Sequence, residues 1–306
     1  MTRGVSVAAP HLTRAKRLGG GIAWSGSIIV AASALAFSTA GLFTRLISFD
    51  VWTMLFWRGL FGGLLIASFI VWRERGKTAA AFTSIGWAGL LVASCSTVGT
   101  ICFITSLRET TVADVTIIYA TAPFIAAAIA WVWTREAPGG GTLAASALAL
   151  VGVATMCGAA VSTRHMMGNL LALVMTALMA LMMVVVRKNR HVSMLPAACL
   201  SAFTCAAAVL PLARPAEVTP ADLALLGLFG TTQFGLGLLL LTIGSRLVSA
   251  PRASLLGNLE LPLAPLWVWL AFGEVPSQAT VVGGAIVSAA VLFDLASAQR
   301  RSAISR

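Results

Sequence analysis

Trp131-Val-Trp-Thr-Arg-Glu136-Ala-Pro138 recurs 138 positions later as Trp269-Leu-Ala-Phe-Gly-Glu274-Val-Pro276. Both copies read W-x-x-x-x-E-x-P, and both stand where a long apolar run meets polar sequence. A phrase repeated at that distance in a chain of 306 residues predicts two homologous halves of about 140 residues each. Secondary structure and topology should then repeat between the halves.

The composition is that of a membrane protein. The chain is 58% hydrophobic and 10% charged, with a mean hydropathy of +0.93, whereas a soluble domain carries about 25% charged residues. The lipid bilayer must therefore be its main solvent. The net charge of +11 falls mostly in the short gaps between apolar runs, which indicates a topology signal and attraction to anionic headgroups rather than nucleic-acid binding.

The cysteines and histidines predict no cofactor, metal site or disulfide framework. All five cysteines fall inside apolar runs without a C-x-x-C pair, and all three histidines lie outside those runs. We interpret the cysteines as small buried hydrophobic residues.

Ten apolar runs are long enough to cross a bilayer, since a membrane helix needs about 20 mostly apolar residues. The predicted spans are residues 27–46, 52–72, 85–107, 112–133, 143–161, 169–186, 194–212, 223–245, 250–272 and 280–297. The predicted fold class is an all-α membrane protein with five spans per half. The predicted divisions are a tail at 1–24, five-helix repeats at 25–162 and 168–297, and a tail at 298–306.

The placement of lysine and arginine predicts the orientation. With a cytoplasmic N-terminus, sixteen of the 21 lysines and arginines lie on the cytoplasmic side, four lie outside, and Arg58 remains within a span. This bias predicts that both termini are cytoplasmic in a bacterial-type inner membrane. Five spans per half then turn the second repeat upside down, so that Glu136 faces the cytoplasm and Glu274 faces outward. Inverted repeats of this kind are typical of carriers.

These features together resemble the EamA-type ten-helix transporters of the drug/metabolite transporter superfamily. The resemblance covers about Trp24 to Ala296 and rests on the ten spans, the five-plus-five repeat and the two E-x-P helix ends. It also rests on a proline about thirteen residues before each glutamate, Pro123 and Pro262, and on Arg58 early in the second span. The resemblance implies an inner-membrane carrier of small metabolites, a group in which many members export amino acids.

The two prolines also point to a binding site. Aligning them gives an offset of 139, one more than that of the repeated phrase, which implies a one-residue indel between the halves. On this register Tyr119 matches Asn258, and Thr121 matches Glu260. Both pairs stand just before a proline, which leaves a backbone carbonyl unsatisfied. Helices broken at corresponding positions of two inverted halves predict where a carrier binds its substrate.

Glu260 is the candidate for binding a cation or a proton within the membrane. It lies about ten residues into span nine, roughly 15 Å deep at 1.5 Å per residue, where an ionised carboxylate is costly and indicates function. It could bind a substrate ammonium, or take up a proton and couple transport to the proton gradient. The alternative is a protonated glutamate hydrogen-bonded between helices. The sequence departs from the family here, because Leu261 separates this glutamate from the proline that it often directly precedes.

Arg58 and Tyr119 each have two interpretations. Arg58 lies about 9 Å in from the outer end of span two, and could reach the outer headgroups or bond carbonyls of helix one. It could instead be the counter-ion of a substrate carboxylate or of Glu260. Tyr119, the only tyrosine of the chain, could donate a hydrogen bond to a substrate or anchor the helix at the membrane interface.

The remaining candidates are small polar residues and one methionine. Thr231 and Gln233 form a polar segment in helix eight, with Thr97 in its counterpart in helix three. Such residues serve as helix-packing contacts or as cavity lining, and Ser38 in helix one is a similar case. Met179 belongs to a methionine stripe on helix six that either lines an adaptable pocket or packs against neighbours and lipid.

These observations predict a secondary carrier, with a small-molecule substrate and the bilayer as its partners. The main prediction is the export of amino acids or similar amphipathic compounds. The alternative is the uptake or exchange of sugars or other metabolites by a carrier of the same fold. An intramembrane enzyme is disfavoured, because the spans hold no histidine and no paired aspartates. No Gly-rich Lys loop for nucleotide is present, and both monomer and homodimer remain open.

Overall fold

The computed structural model describes residues 10–110, 112–135, 139–157, 166–273 and 275–304. Glu136, Pro138 and Glu274 of the repeated phrase lie outside these residues. Every regular element in the described residues is helical, which confirms the all-α fold class.

The described residues form fifteen α-helices with two 3-10 turns and one π-helical segment. In chain order the α-helices are α1 (Pro10–Ser38), α2 (Ala40–Leu46), α3 (Val51–Glu74), α4 (Thr78–Ser84), α5 (Gly86–Glu109), α6 (Val112–Tyr119), α7 (Ala122–Thr134), α8 (Gly140–Cys157), α9 (Met166–Lys188), α10 (Leu195–Val209), α11 (Pro220–Leu228), α12 (Gly237–Gly244), α13 (Ala250–Gly257), α14 (Glu260–Phe272) and α15 (Gln278–Ile304). The 3-10 turns are Leu210–Leu212 and Pro215–Glu217, and the π-helix is Phe229–Leu236.

Within the described residues, ten stretches are long and apolar enough to cross a membrane, which confirms the predicted number. They are Trp24–Leu46, Val51–Glu74, Gly86–Ser106, Asp114–Trp133, Gly140–Cys157, Met166–Lys188, Leu195–Leu212, Pro220–Gly244, Ala250–Phe272 and Gln278–Ser297. The ends differ from the predicted ones by a few residues. Helix α1 begins inside the predicted tail and α15 continues into the other, because hydropathy marks the apolar part of a helix and not its backbone ends.

The connections between spans alternate between the two ends of the bundle. We call the end with the loops 75–85, 189–194 and 245–249 the Arg190 face. The opposite end, with the loops 47–50 and 213–219, is the Asp50 face. Since each half has five spans, the first half starts at the Arg190 face and the second half starts at the Asp50 face.

Spans four and nine are both broken near their midpoints, as the two prolines predict. Span four passes from α6 to α7 and span nine from α13 to α14, and all four helix starts and ends repeat at an offset of 138. The offset at the breaks therefore equals that of the repeated phrase.

The predicted register of 139 is wrong at these breaks. Asn258 corresponds to Ala120 rather than to Tyr119, and Glu260 corresponds to Ala122 rather than to Thr121. The physical reason is that proline is tolerated throughout the first turn of a helix, where the backbone N–H has no helical partner. A proline can therefore move by one residue without moving the break.

Spans five and ten cross at glycines, which set how closely the two halves approach. A Cβ atom on Gly152 would lie 2.7 Å from the carbonyl oxygen of Gly283 and 2.9 Å from the backbone nitrogen of Val287. A Cβ atom on Gly283 would collide with the Gly152 carbonyl and with Met156. The backbones of α8 and α15 thus touch directly, as small residues allow in membrane helices.

We expect Gly283→Ala to push α8 and α15 apart and to destabilise the protein by about 1–3 kcal/mol, the usual cost of overpacking. Thermal unfolding of the purified protein in detergent should show a lower midpoint. Gly140→Ala is the matched control, because no atom lies within 4 Å of a Cβ built at Gly140. Equal midpoints for the two variants would contradict the close crossing.

A polar network on the Asp50 face joins the two halves. Asp50 caps α3: one carboxylate oxygen accepts from the backbone N–H groups of Trp52 and Thr53, at 2.9 and 3.1 Å. The Thr53 hydroxyl donates to the other oxygen at 2.6 Å and accepts from the backbone N–H of Arg214 at 2.8 Å. Partial burial raises the pKa of Asp50, but these hydrogen bonds and the nearby Arg214 charge outweigh it, so the pKa lies below its usual value.

We expect Asp50→Ala to cost about 1 kcal/mol at pH 7, the usual cost of losing a helix cap. Because the folded pKa of Asp50 is lowered, the part of the stabilisation that depends on its charge is present above the usual pKa of about 3.9. That part is lost as the pH falls through the lowered value. Thermal unfolding from pH 7 to pH 3 measures this. Asp50→Asn keeps a capping oxygen and should lose only the pH-dependent part of the stabilisation. A thermal midpoint of Asp50→Ala equal to that of the wild type would contradict the capping role.

Candidate functional site

The broken spans four and nine are packed unequally. At the Arg190 face α13 packs against α7, α8 and α9, and both α7 and α13 are rich in buried residues. At the Asp50 face the corresponding helix α14 contains no buried residue and packs against α1, α2 and α15. Within its most apolar window, span nine is only 17% buried, compared with 39% for span four. The bundle is therefore closed between these spans at the Arg190 face and looser at the Asp50 face.

The burial of α7 and α14 can be compared at residues that are related by the offset of 138. Ala126 of α7 is 0% exposed, whereas its counterpart Ala264 of α14 is half-buried. Ala130 is likewise buried, while its counterpart Val268 is half-buried. Because the paired residues are similar small or β-branched hydrophobes, composition does not explain the difference. The second helix of each broken span is therefore packed differently in the two repeats.

The breaks bring Tyr119 and Glu260 together. Tyr119 ends α6, Glu260 begins α14, and both side chains are half-buried and interact electrostatically. Asn258 lies in the break of span nine and is 0% exposed, and neither atom of its amide has a hydrogen-bond partner among the described residues. Buried polar groups without partners are rare. Thr121 is less available to donate a hydrogen bond to a substrate, since its hydroxyl donates to the Ile118 carbonyl at 2.6 Å.

A second polar cluster lies where helix one is interrupted. Helix α1 ends at Ser38 and α2 starts at Ala40, so the Phe37 carbonyl is free to accept from Gln233 Nε2, at 3.4 Å. The Ser38 hydroxyl accepts from the indole Nε1 of Trp267 on α14 at 2.8 Å. Gln233 itself lies in the π-helical part of span eight, a distortion that is frequent at functional sites. The predicted candidates Ser38 and Gln233 thus face the same interruption.

Arg58 belongs to this second cluster. Its Nη1 donates to Gln233 Oε1 at 3.4 Å, and its guanidinium lies 4.4 Å from the centroid of the Phe234 ring and 5.8 Å from that of Phe229. Among the described residues, the side chain that bonds a carbonyl of helix one beside it is that of Gln233. Aromatic rings and an amide therefore contact the cation from span eight, and its interpretation as a counter-ion stays a prediction.

The other three candidates make contacts within or between helices. The Thr97 hydroxyl pairs with the Thr204 hydroxyl at 2.7 Å, which ties span three to span seven. Thr231 donates to the carbonyl of Gly227, one turn earlier in its own helix, at 2.8 Å. Met179 packs onto Gly99 and lies in the apolar cluster that contains Tyr119. Of these three, only Met179 adjoins the Tyr119–Glu260 pair.

Sequence reasoning missed a buried ion pair at the Arg190 face. Asp294 of α15 is 0% exposed and accepts from Arg252 of α13 through Nε and Nη2, at 2.7 and 3.2 Å. It also accepts from the Thr142 hydroxyl of α8 at 2.8 Å. The signal was available, because Asp294 lies inside a predicted span and an intramembrane carboxylate indicates function by default. The triad ties span five to spans nine and ten at the closed end of the bundle.

Ten spans in two repeated halves, with spans four and nine broken at matching positions, have the architecture of inverted-repeat membrane transporters. The sequence profile of the EamA-like transporter family matches residues 24–157 and again residues 166–295. The chain therefore belongs to the EamA-like transporter family, and it is a multi-pass membrane transporter of the drug/metabolite transporter superfamily.

Solved structures support the fold. One crystal structure of a protein superimposes with a TM-score of 0.78 over 90% of this chain and 99% of that chain, at 16% sequence identity. A likeness at that identity concerns the fold alone. No curated protein matches the sequence. Among the described residues no three histidine, cysteine, aspartate or glutamate side chains come together to hold a metal ion.

Proposed function

We propose that the protein is a secondary carrier that exports amino acids or similar amphipathic compounds by alternating access. The observation that carries this proposal is the unequal packing of matched residues, Ala126 buried in α7 and Ala264 half-buried in α14. Two homologous repeats that are packed unequally are expected of a carrier that opens to one side of the membrane at a time. If the repeats exchange conformations, α6 and α14 close together while α7 and α13 separate.

The Arg190 face is the cytoplasmic side in this proposal. Its loops carry Arg75, Lys77, Arg190 and Arg246, and the adjoining end of α9 carries Arg187 and Lys188, as the preference of lysine and arginine for the cytoplasm requires. Both termini are then cytoplasmic in an inner membrane, and residues 1–24 and 298–306 are tails beside the two repeats. On this assignment the looser end of the bundle, the Asp50 face, is the outer side.

Glu260 and Tyr119 form the centre of the substrate site in this proposal. Glu260 lies twelve residues before the end of α14, about 18 Å from the Asp50 face at 1.5 Å per residue. Its carboxylate accepts a substrate ammonium or exchanges a proton, and the Tyr119 hydroxyl donates a hydrogen bond beside it. Asn258 supplies an unused amide in the same break. The half-buried state of Glu260 allows a ligand to reach it.

Counterflow in liposomes tests the proposal. Vesicles loaded with an unlabelled L-amino acid and containing the purified protein should accumulate the labelled amino acid faster than protein-free vesicles, with and without a pH gradient. A broad panel covers charged, polar, aliphatic and aromatic side chains. Absence of protein-dependent flux for the whole panel would refute amino-acid export. Flux of sugars in the same vesicles would favour the exchanger or uptake alternative.

A further inference from the structure

The guanidinium of Arg58 has no carboxylate partner in the described part of the chain. Its Nη1 has one long hydrogen bond, to the amide of Gln233, and its Nε is buried without any hydrogen-bond partner. The rings of Phe229 and Phe234 cover the cation. Rings and a neutral amide offset only part of the cost of removing a cation from water. The net positive charge of this cluster is therefore available to an anion.

The surrounding backbone is shaped to hold this cation in place. The interruption of helix one after Ser38 frees the Phe37 carbonyl, and Gln233 Nε2 donates to it. This bond fixes the side-chain amide so that its oxygen faces Arg58. The π-helical segment of span eight contains Phe229, Gln233 and Phe234, the three residues that contact the guanidinium. Two distortions of different helices thus converge on one side chain.

A ligand can reach this cluster from the looser end of the bundle. Arg58 keeps partial exposure and lies seven residues into α3, about 10 Å from the Asp50 face. Its partner Gln233 is linked through Phe37 and Ser38 to Trp267 of α14. Trp267 follows Glu260 by seven residues, so both lie on one face of α14, about 10 Å apart. The cluster therefore adjoins the face of α14 that carries Glu260, nearer to the Asp50 face.

We propose that Arg58 and Gln233 form a subsite for the carboxylate of the transported compound. A guanidinium binds a carboxylate through two parallel N–H groups, a geometry that matches the planar anion. A phosphate would require several basic residues, and the contacts described for this cluster involve one guanidinium, that of Arg58. The inference rests on the proposed function and narrows its substrate class to compounds with a carboxylate. A substrate whose ammonium lies at Glu260 would point its carboxylate toward the Asp50 face.

Binding to the purified protein in nanodiscs tests the subsite apart from transport. The probes are L-leucine, L-phenylalanine and L-threonine, each with the amine that lacks its carboxylate and the carboxylic acid that lacks its ammonium. We expect Arg58→Gln to weaken binding of the preferred amino acid and its acid about 10- to 100-fold, the loss of one charge-assisted contact. Binding of the corresponding amine should be unchanged, which also shows that the variant is folded. Arg58→Lys should retain part of the affinity.

Arg214→Gln is the matched control, since it removes an exposed arginine from the Asp50 face, and it should bind every probe like the wild type. Equal binding of the carboxylic acids to wild type and Arg58→Gln, or no binding of any acid to the wild type, would overturn the subsite. Failure of every amino acid in counterflow would instead refute the proposed export. The acid series would still decide the subsite in that case.

Discussion

Glu260→Gln is expected to lower the counterflow of amino acids about 100-fold. The substitution keeps the size of the side chain and removes the charge that would hold a substrate ammonium or a proton. A hydrogen bond to a charged group contributes about 1.5–3 kcal/mol, and the loss of coupling adds to that loss of affinity. The measurement is the initial rate of counterflow at equal amounts of reconstituted protein. Glu109→Gln is the control, because it removes an exposed carboxylate at the end of α5.

The pH dependence separates the two roles of Glu260. If it carries a proton, a pH gradient should accelerate wild-type counterflow and should have no effect on Glu260→Gln. If it only holds an ammonium, the variant should lose affinity without a change in its response to the gradient. Wild-type flux together with a wild-type pH response in Glu260→Gln would show that this carboxylate has neither role.

Asp294→Ala should be the most destabilising single substitution in the bundle. It removes an acceptor of three hydrogen bonds and leaves the Arg252 guanidinium, whose side chain is 17% exposed, without its counter-ion. Breaking a buried ion pair in this way costs about 3–5 kcal/mol. The thermal midpoint in detergent should fall by about 5–10 °C.

The double variant Arg252→Met with Asp294→Leu separates the ion pair from the packing. It removes both charges and fills the space with apolar side chains, so most of the lost stability should return. Glu109→Ala, at the exposed end of α5, controls for the loss of a carboxylate elsewhere. A midpoint for Asp294→Ala within about 1 °C of the wild type would contradict a buried pair at this position.

Hydropathy and proline placement were sufficient to predict the framework. A bilayer forces every spanning segment to satisfy its own backbone, so ten apolar runs give ten helical spans, and a proline that removes a helical donor marks each break. The one-residue error at Asn258 and Glu260 arose because a proline can occupy more than one position in the first turn of a helix. The positions of the prolines therefore predicted the breaks but not the residue-by-residue alignment of the two repeats.

The contacts of the site could not be predicted in the same way. Arg58 and Gln233 are 175 positions apart, and Trp267 and Ser38 are 229 apart. Such pairs depend on how the halves pack, and no local pattern encodes them. The interruption of helix one after Ser38 carries no proline signal, and span six, its counterpart, is continuous. The side chain that bonds the freed carbonyl of Phe37 is that of Gln233, from the other repeat.

Cysteine labelling shows directly whether the two repeats alternate. Ala126→Cys and Ala264→Cys, each in a cysteine-free background, report on matched positions of α7 and α14. Without substrate, a membrane-impermeant maleimide should label Ala264→Cys from outside and should leave Ala126→Cys unlabelled from either side. With a saturating transported amino acid, labelling of Ala126→Cys from the cytoplasmic side should rise as labelling of Ala264→Cys falls. Equal labelling of both cysteines from one side, with no response to substrate, would contradict alternation.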